Sequence, residues 1–259
     1  MEMCSLNKHG IATVFLRQFL SWRSNWRTFL LMRLIEPAIF FYGIGLGIGH
    51  FIPQVGGHDY LSYLLPGSVA LALMFAGLFE GTYNAYSRAY MQRTWFSYLA
   101  TPTRVRDILV GEMAWCTVRT MLSTILLILV GVLLGAKISI WGTLLALPFM
   151  TLTVLSIMTL GYVVMSFANS MNDFDYIWPF LATPMMVFSG VMVDVSHFPM
   201  LLKVVTWFLP LTHTLQIVRP LMLGEFPIVD ILLHGSFLVV LLVASLWLAD
   251  TRLSRKIES

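Results

Sequence analysis

Five ionisable residues lie inside otherwise apolar runs: Arg33, Glu36, Glu80, Glu112 and Arg119. Ionised groups in apolar surroundings are costly unless they pair or face water. Arg33 and Glu36 are three apart, just before Pro37, so on a helix they are neighbours and can pair. Two readings of these residues stand side by side. They are snorkelling groups and salt bridges that fix helix packing, or some of them line a vestibule at the cytoplasmic ends of the helices. Other chemistry is scarce. The chain has no G-x-x-x-x-G-K-[ST] segment, so it cannot itself bind ATP through a P-loop. His197 and His213 stand alone in a Pro-rich segment without a second ligand at metal spacing, and we read both as structural or surface residues. Cys4 and Cys116 are too far apart in sequence and setting to suggest a disulfide framework. No catalytic residue, metal site or cofactor is therefore expected.

The elements that must hold these charges are set by composition. Of 259 residues, 58% are hydrophobic and only 11% charged, with a mean hydropathy of +0.81. Soluble domains carry about 25% charged residues. A soluble core of this length could not hide so much apolar side chain, so lipid is the solvent for most of it. The net charge of +3 gives no reason to expect nucleic acid. No cleavable signal is visible, because the first apolar cluster is interrupted by Arg17 and Gln18.

A crossing helix needs about 20 apolar residues. Six segments meet that length: Thr28–His50, Leu61–Ser87, Ile108–Leu134, Ile140–Phe167, Asp175–Val193 and Asp230–Ala249. They are continuous runs without the alternation of a barrel strand. Lys and Arg placement sets the orientation. Twelve of the sixteen basic residues fall in the N-terminal stretch to Arg33, in the segment after the second span, or in the C-terminal tail. Both termini are thus expected in the cytoplasm. The loop "NSMNDFD" falls on the same side without a basic residue. No span has a carboxylate near its centre except Glu80, which counts against an ion-coupled carrier.

Two apolar segments do not span. Residues 7–27 form an amphipathic helix whose Phe15, Phe19, Trp22 and Trp26 fall within an arc of about 60°. Such a helix is expected to lie in the membrane surface with that face among the headgroups. Residues 194–229 are cut by Pro199, Pro210, Pro220 and Pro227 into pieces of about ten residues, too short to cross. They are expected to form a re-entrant external hairpin packed on the fifth and sixth spans. At the end of the first span, Gly43 with Gly47 and Gly45 with Gly49 permit close helix contact, within one chain or between two.

The fold class that follows is all-α. It is a polytopic membrane protein with six transmembrane helices, an N-terminal interfacial helix and a re-entrant hairpin between spans five and six. All of it forms one transmembrane domain over residues 1–259. Residues 88–107, "RAYMQRTWFSYLATPTRVRD", make a basic, aromatic cytoplasmic loop between spans two and three. Positive-inside arginines with aromatic interface anchors would account for its composition.

The order of features adds to this reading. The loop ends in "LATPTRVRDILVGE", the fifth span reads "PFLATPMMVFSGVMVDVSHFP", and the hairpin carries "FLPLTHTLQIVRPLMLGE". In that order, over essentially the whole chain, the sequence resembles the permease subunits of type-two ABC exporters. Within that family "MQRTWFSYLATP" and the overall length are most similar to the branch that exports lipo-chitooligosaccharide nodulation factors. The resemblance implies a homodimer of permeases in the bacterial inner membrane, partnered by a separate ATPase subunit that binds the ATP. The cargo would be an amphiphile, a lipo-oligosaccharide first, with another glycolipid, a polysaccharide or a drug as alternatives. It also implies that the loop forms a coupling helix seated on the ATPase. The residues concerned are Arg88, Gln92, Arg93, Thr94, Trp95, Phe96, Thr101, Pro102 and Arg104. Trp95 and Phe96 would anchor it, with Tyr98 and Leu99, while Arg88, Arg93, Arg104 and Arg106 supply a charged rim. Many members of the family carry an acidic residue in the segment here occupied by Gln92, Arg93 and Thr94. A membrane-embedded lipid enzyme would need a cluster of His, Asp or Glu at one interface, and none can be assembled. A stand-alone secondary transporter would need inverted repeats, and none is evident.

Overall fold

The computed structural model describes residues 7–24, 26–27, 35, 39, 41, 43, 45, 47, 54–55, 57–191 and 199–258. It is built almost wholly from helices. Helix α1 covers Lys8–Ser24. A two-stranded antiparallel ladder, β1 (Gln54–Val55) with β2 (His58–Asp59), leads into α2 (Tyr60–Phe79). Helix α2 continues through two π-helical stretches, Glu80–Asn84 and Ser87–Met91. After a break at Gln92–Arg93 come α3 (Thr94–Leu99), α4 (Val105–Leu133) and α5 (Ile140–Phe167). The chain then runs through a 3-10 segment, Met171–Tyr176, a π segment, Trp178–Ala182, and α6 (Thr183–Phe188). Helices α7 (Met200–Trp207), α8 (Pro210–Leu223) and α9 (Ile228–Glu258) complete it.

Among the described residues, four helices are long and apolar enough to cross a membrane: Tyr60–Met91, Val105–Leu133, Ile140–Phe167 and Ile228–Ile257. They match the expected second, third, fourth and sixth spans. Two of them outrun the sequence limits because charged residues stay helical: Arg88 in the second, and Arg252, Arg255 and Lys256 in the last. The first expected span, with Arg33, Glu36 and Gly49, lies mostly outside the described residues. Within it, Gly45 abuts Leu61 of α2, so a Cβ there would meet Leu61 Cδ2 at 2.6 Å, whereas Gly43 and Gly47 face open space.

The expected fifth span, Asp175–Val193, is not one continuous helix. Pro179 and Pro184 remove backbone donors, and the chain changes helical type at each before turning at Gly190, whose φ is 86°. Its entry is capped locally. Asp173 accepts the N–H groups of Asn169 at 2.7 Å and Ser170 at 3.1 Å and the Ser170 hydroxyl at 2.8 Å. The Asn169 and Ser170 bonds hold its carboxyl below the ordinary range.

The segment after the fifth span does form a bent pair. Helices α7 and α8 meet at 90°. Pro220 does not cut this pair as expected. It sits inside α8, which runs on to a left-handed Gly224, where the N–H of Gly224 returns to Leu221 O and that of Glu225 to Pro220 O. Helix α8 is buried mainly among α5, α2 and α9 rather than on the fifth span. The start of α5 is joined to its end. Ser139 N–H donates to Met222 O at 2.7 Å, and a Cβ on Gly142 would lie 1.7 Å from Leu221 O. Glycine is required there because two backbones touch. The second and fourth spans approach as closely, since a Cβ on Gly81 would lie 2.2 Å from Met158 O.

Candidate functional site

Three of the five intramembrane charges, Glu80, Glu112 and Arg119, meet at one place with Arg88. Arg88 Nη1 lies 2.8 Å from Glu80 Oε1. Its Nε and Nη2 donate to Glu112 Oε1 at 2.6 Å and Oε2 at 2.9 Å, a two-pronged grip. Arg119 Nη2 donates to Glu80 Oε2 at 2.5 Å. The four side chains are between 1% and 12% exposed. Two positive and two negative charges therefore cancel inside the bundle.

Helix geometry explains the meeting. Glu112 and Arg119 are seven residues apart on α4, within about 20° of one face. Glu80 and Arg88 are eight apart, which an α-helix would splay by about 80°. The wider π turns between them rotate Arg88 back over Glu80. Thus both helices present an acid and a base to each other, in opposite order.

Neutral groups from further elements complete the cluster. Asn84 Nδ2 donates to Glu80 Oε2 at 2.9 Å. Trp95 Nε1 on α3 donates to Glu112 Oε1 at 3.0 Å, and Tyr162 on α5 donates to Glu112 Oε2 at 3.4 Å. Gln18 on α1 reaches Glu112 Oε1 at 3.5 Å. Helices α1, α3, α4 and α5 and the end of the second span are thus tied to one buried quartet. Such a network suits mechanical linkage, because shifting any one partner would expose an unmatched charge.

Around the quartet, the first turn of α4 is locked to α1. Asn7 N–H donates to Asp107 Oδ1 at 3.0 Å and Asn7 Nδ2 to Pro102 O at 2.9 Å. Arg17 lies over the Tyr98 ring, 5.7 Å from its centroid, and donates to its hydroxyl. The residues that remain on the surface are Met91, Gln92, Arg93, Phe96, Ser97, Ala100, Thr101, Pro102, Arg104 and Arg106. They make a basic patch with Met91 and Phe96 as apolar members.

A family model described as ABC-2 type transporter matches residues 9–223. The chain belongs to the ABC-2 type transporter family. Nodulation protein J of Rhizobium leguminosarum bv. trifolii is 36% identical over 245 residues, covering 94% of this chain and 92% of that protein. Nodulation protein J of Rhizobium meliloti (strain 1021) is 34% identical over the same length, with the same two shares. That of Bradyrhizobium diazoefficiens is 32% identical over 217 residues, 84% of this chain and 82% of the relative. The chain is accordingly a membrane-embedded ABC-2 type transporter subunit homologous to nodulation protein J.

Within this ABC-2 subunit, several residues stand elsewhere than the sequence suggested. Arg88 is not part of the loop's charged rim. Helix continues through Met91, and the Arg88 side chain turns inward to two carboxylates. Trp95 is not an exposed anchor. It is fully buried, because its indole N–H finds an acceptor in Glu112. Thr94 is also buried, its hydroxyl bonded to Arg88 O at 2.9 Å. Arg93 alone among non-glycine described residues takes positive φ, at 54°, which makes the corner between the second span and α3.

The aromatic face of α1 is turned to protein rather than to headgroups. Phe15, Phe19 and Trp22 stack edge-on around Trp115 of α4, with centroids 5.4 to 5.7 Å away. Trp26 stays exposed, as do Leu16 and Leu20. The sequence pattern located the face but not the single tryptophan that receives it.

His213 is not isolated either. Its Nδ1 lies 2.8 Å from Nδ1 of His234 on α9, a residue the sequence reading passed over. Its Nε2 lies 2.7 Å from Trp207 O. A carbonyl only accepts, so Nε2 carries the proton, and His234 must donate to His213 Nδ1. Phe237 stacks on the His213 ring at 3.8 Å. These contacts pin the α7–α8 pair to α9. His197 lies outside the described residues.

Proposed function

We propose that the chain is the membrane-spanning subunit of an ATP-driven exporter, working as a homodimer with a separate ATPase subunit. In this reading residues 1–259 form one permease domain with six spans, both termini in the cytoplasm of a bacterium and the spans in its inner membrane. Helix α3 and its flanks, residues 91–106, are the ATPase docking site. The first span and the broken fifth complete the six.

One observation carries the reading. Helix α3 is short and exposed on one side, with Arg93 before it and Arg104 and Arg106 after it, while Trp95 on its other side grips the buried quartet. A push on Phe96 and Arg93 from the cytoplasm would be passed through Trp95 to Glu112 and Arg88, and so to α4 and the second span together. Family membership supplies the general expectation of an ATPase partner. Hot-spot logic assigns the anchor to Phe96 with Arg93, Arg104 and Arg106 around it. Thr101 and Pro102 turn the chain back into α4. The cargo is an amphiphile, and a lipo-chitooligosaccharide is favoured by the likeness to proteins named for nodulation.

The test is co-purification with a candidate ABC ATPase subunit co-expressed with this chain. Phe96→Ala with Arg93→Glu should reduce association at least about tenfold, because hot-spot losses of 2 kcal/mol or more are typical. The melting temperature of the permease should stay unchanged, since both side chains are on the surface. Undiminished association and stimulated ATP hydrolysis would overturn the docking assignment. Reaction of an Arg93→Cys variant with impermeant reagents from outside intact cells would overturn the orientation.

A further inference from the structure

At the end of the bundle remote from the charged quartet, a groove of about 840 Å³ opens on one side between α4 and α5. Its walls are Ile125, Leu129 and Val132 of α4 and Ile140 and Leu144 of α5, each 43% to 75% exposed. From Ile125 to Val132, α4 rises about 10 Å, about a third of the roughly 30 Å hydrocarbon core. The groove thus fits within one leaflet, and its volume is in the range of ligand pockets.

The mouth of the groove is lined by one lysine. Lys137 stands there, exposed, and its backbone is fixed because its N–H donates to Ser62 Oγ at 2.6 Å. Among the described residues it makes no ion pair. The N-terminus of the 28-residue α5 opens beside it, where Ser139 Oγ caps the N–H of Gly142 at 3.1 Å and leaves the N–H groups of Ile140 and Trp141 at the helix start. His58 also lines the groove and is matched with Glu225 at 3.7 Å. The other acid nearby, Asp59, is engaged with the start of α2, accepting from Ser62 N–H and Oγ–H. Among the described residues that line the groove, Lys137 and the helix start are the groups that would meet an anion.

We propose that this groove holds one anionic phospholipid. Its acyl chain lies along Ile125, Leu129 and Leu144, and its phosphate sits between Lys137 and the N-terminus of α5. In the orientation proposed above the lipid belongs to the outer leaflet. The proposal rests on membrane embedding alone and not on the ATPase partnership, so the two readings fail separately.

Native mass spectrometry of the purified chain tests it, after incubation with equal amounts of phosphatidylglycerol and phosphatidylethanolamine in a non-glycosidic detergent. The wild type should retain one phosphatidylglycerol at least fivefold over phosphatidylethanolamine. Lys137→Glu should abolish that preference, and Lys137→Gln, which adds no new charge, should reduce it in the same direction. Leu129→Trp, which fills the groove and leaves Lys137 in place, should lose the bound lipid of either kind. Equal retention of the two lipids by the wild type would overturn the proposal, as would a Lys137→Gln preference equal to that of the wild type. Displacement of the phosphatidylglycerol by an N-acylated chito-oligosaccharide would also overturn it, by giving the groove to cargo.

Discussion

The two ends of this bundle are held together by different physics. At one end four buried charges and four neutral donors join five elements through side chains. At the other, backbone meets backbone: Gly142 lies against Leu221 O, Ser139 donates to Met222 O, and a neutral histidine pair closes on α9. Side-chain ion pairs can re-form in more than one arrangement, whereas a backbone contact through glycine has no slack. The quartet is suited to transmitting movement and the glycine contacts, Gly81 against Met158 O beside Glu80 among them, to resisting it.

Substitutions can break this contrast in order of size. Gly142→Val should have the largest effect, because its new Cβ would overlap a carbonyl that cannot swing aside. Overpacking costs about 1–3 kcal/mol where side chains can adjust and more where they cannot. No monodisperse peak should survive size exclusion in detergent, while Gly43→Ala, facing open space, should elute as the wild type does. Glu80→Ala comes next. It leaves Arg119 and Arg88 each short of a buried partner and should cost about 3–5 kcal/mol, read as a lowered thermal transition. The double variant Glu80→Leu with Arg119→Met should recover at least half of that loss, since an apolar pair avoids the unmatched charge. If the double variant is worse than the sum of its single changes, the quartet is not the self-contained unit described here. Smallest is Trp95→Phe. It keeps the buried ring and removes one bond to a charged acceptor, for about 1.5 kcal/mol. A circular-dichroism melt measures it, and an unchanged transition would mean that the Trp95–Glu112 bond does not hold α3.

Much of this layout was legible in the residues. Four spans stand where apolar run length puts them, the last running eight residues past its expected end at Ala249, because lipid leaves little choice of minimum length. Glu112 and Arg119, seven apart in an apolar run, announce a common face. Their partners were hidden for identifiable reasons. Arg88 looks like a loop residue beside Arg93, and nothing in "EGTYNAYSRAYM" declares the π turns that carry it inward. Pro220 reads as a break, yet α8 forgoes one N–H and closes properly at Gly224. Pro179 and Pro184 do disrupt the fifth apolar run, which hydropathy alone counts as a plain span. Long-range pairs such as His213 with His234 depend on which helices become neighbours, and periodicity within each one is silent about that.

The main-chain stitch between Ser139 and Met222 also constrains motion. A bent helical pair sewn by its own backbone to a 28-residue neighbour cannot lift like a hinged flap. Whatever parting of the protein lets material through, α8 and the head of α5 must travel as one plank, and the seam has to run along some other line.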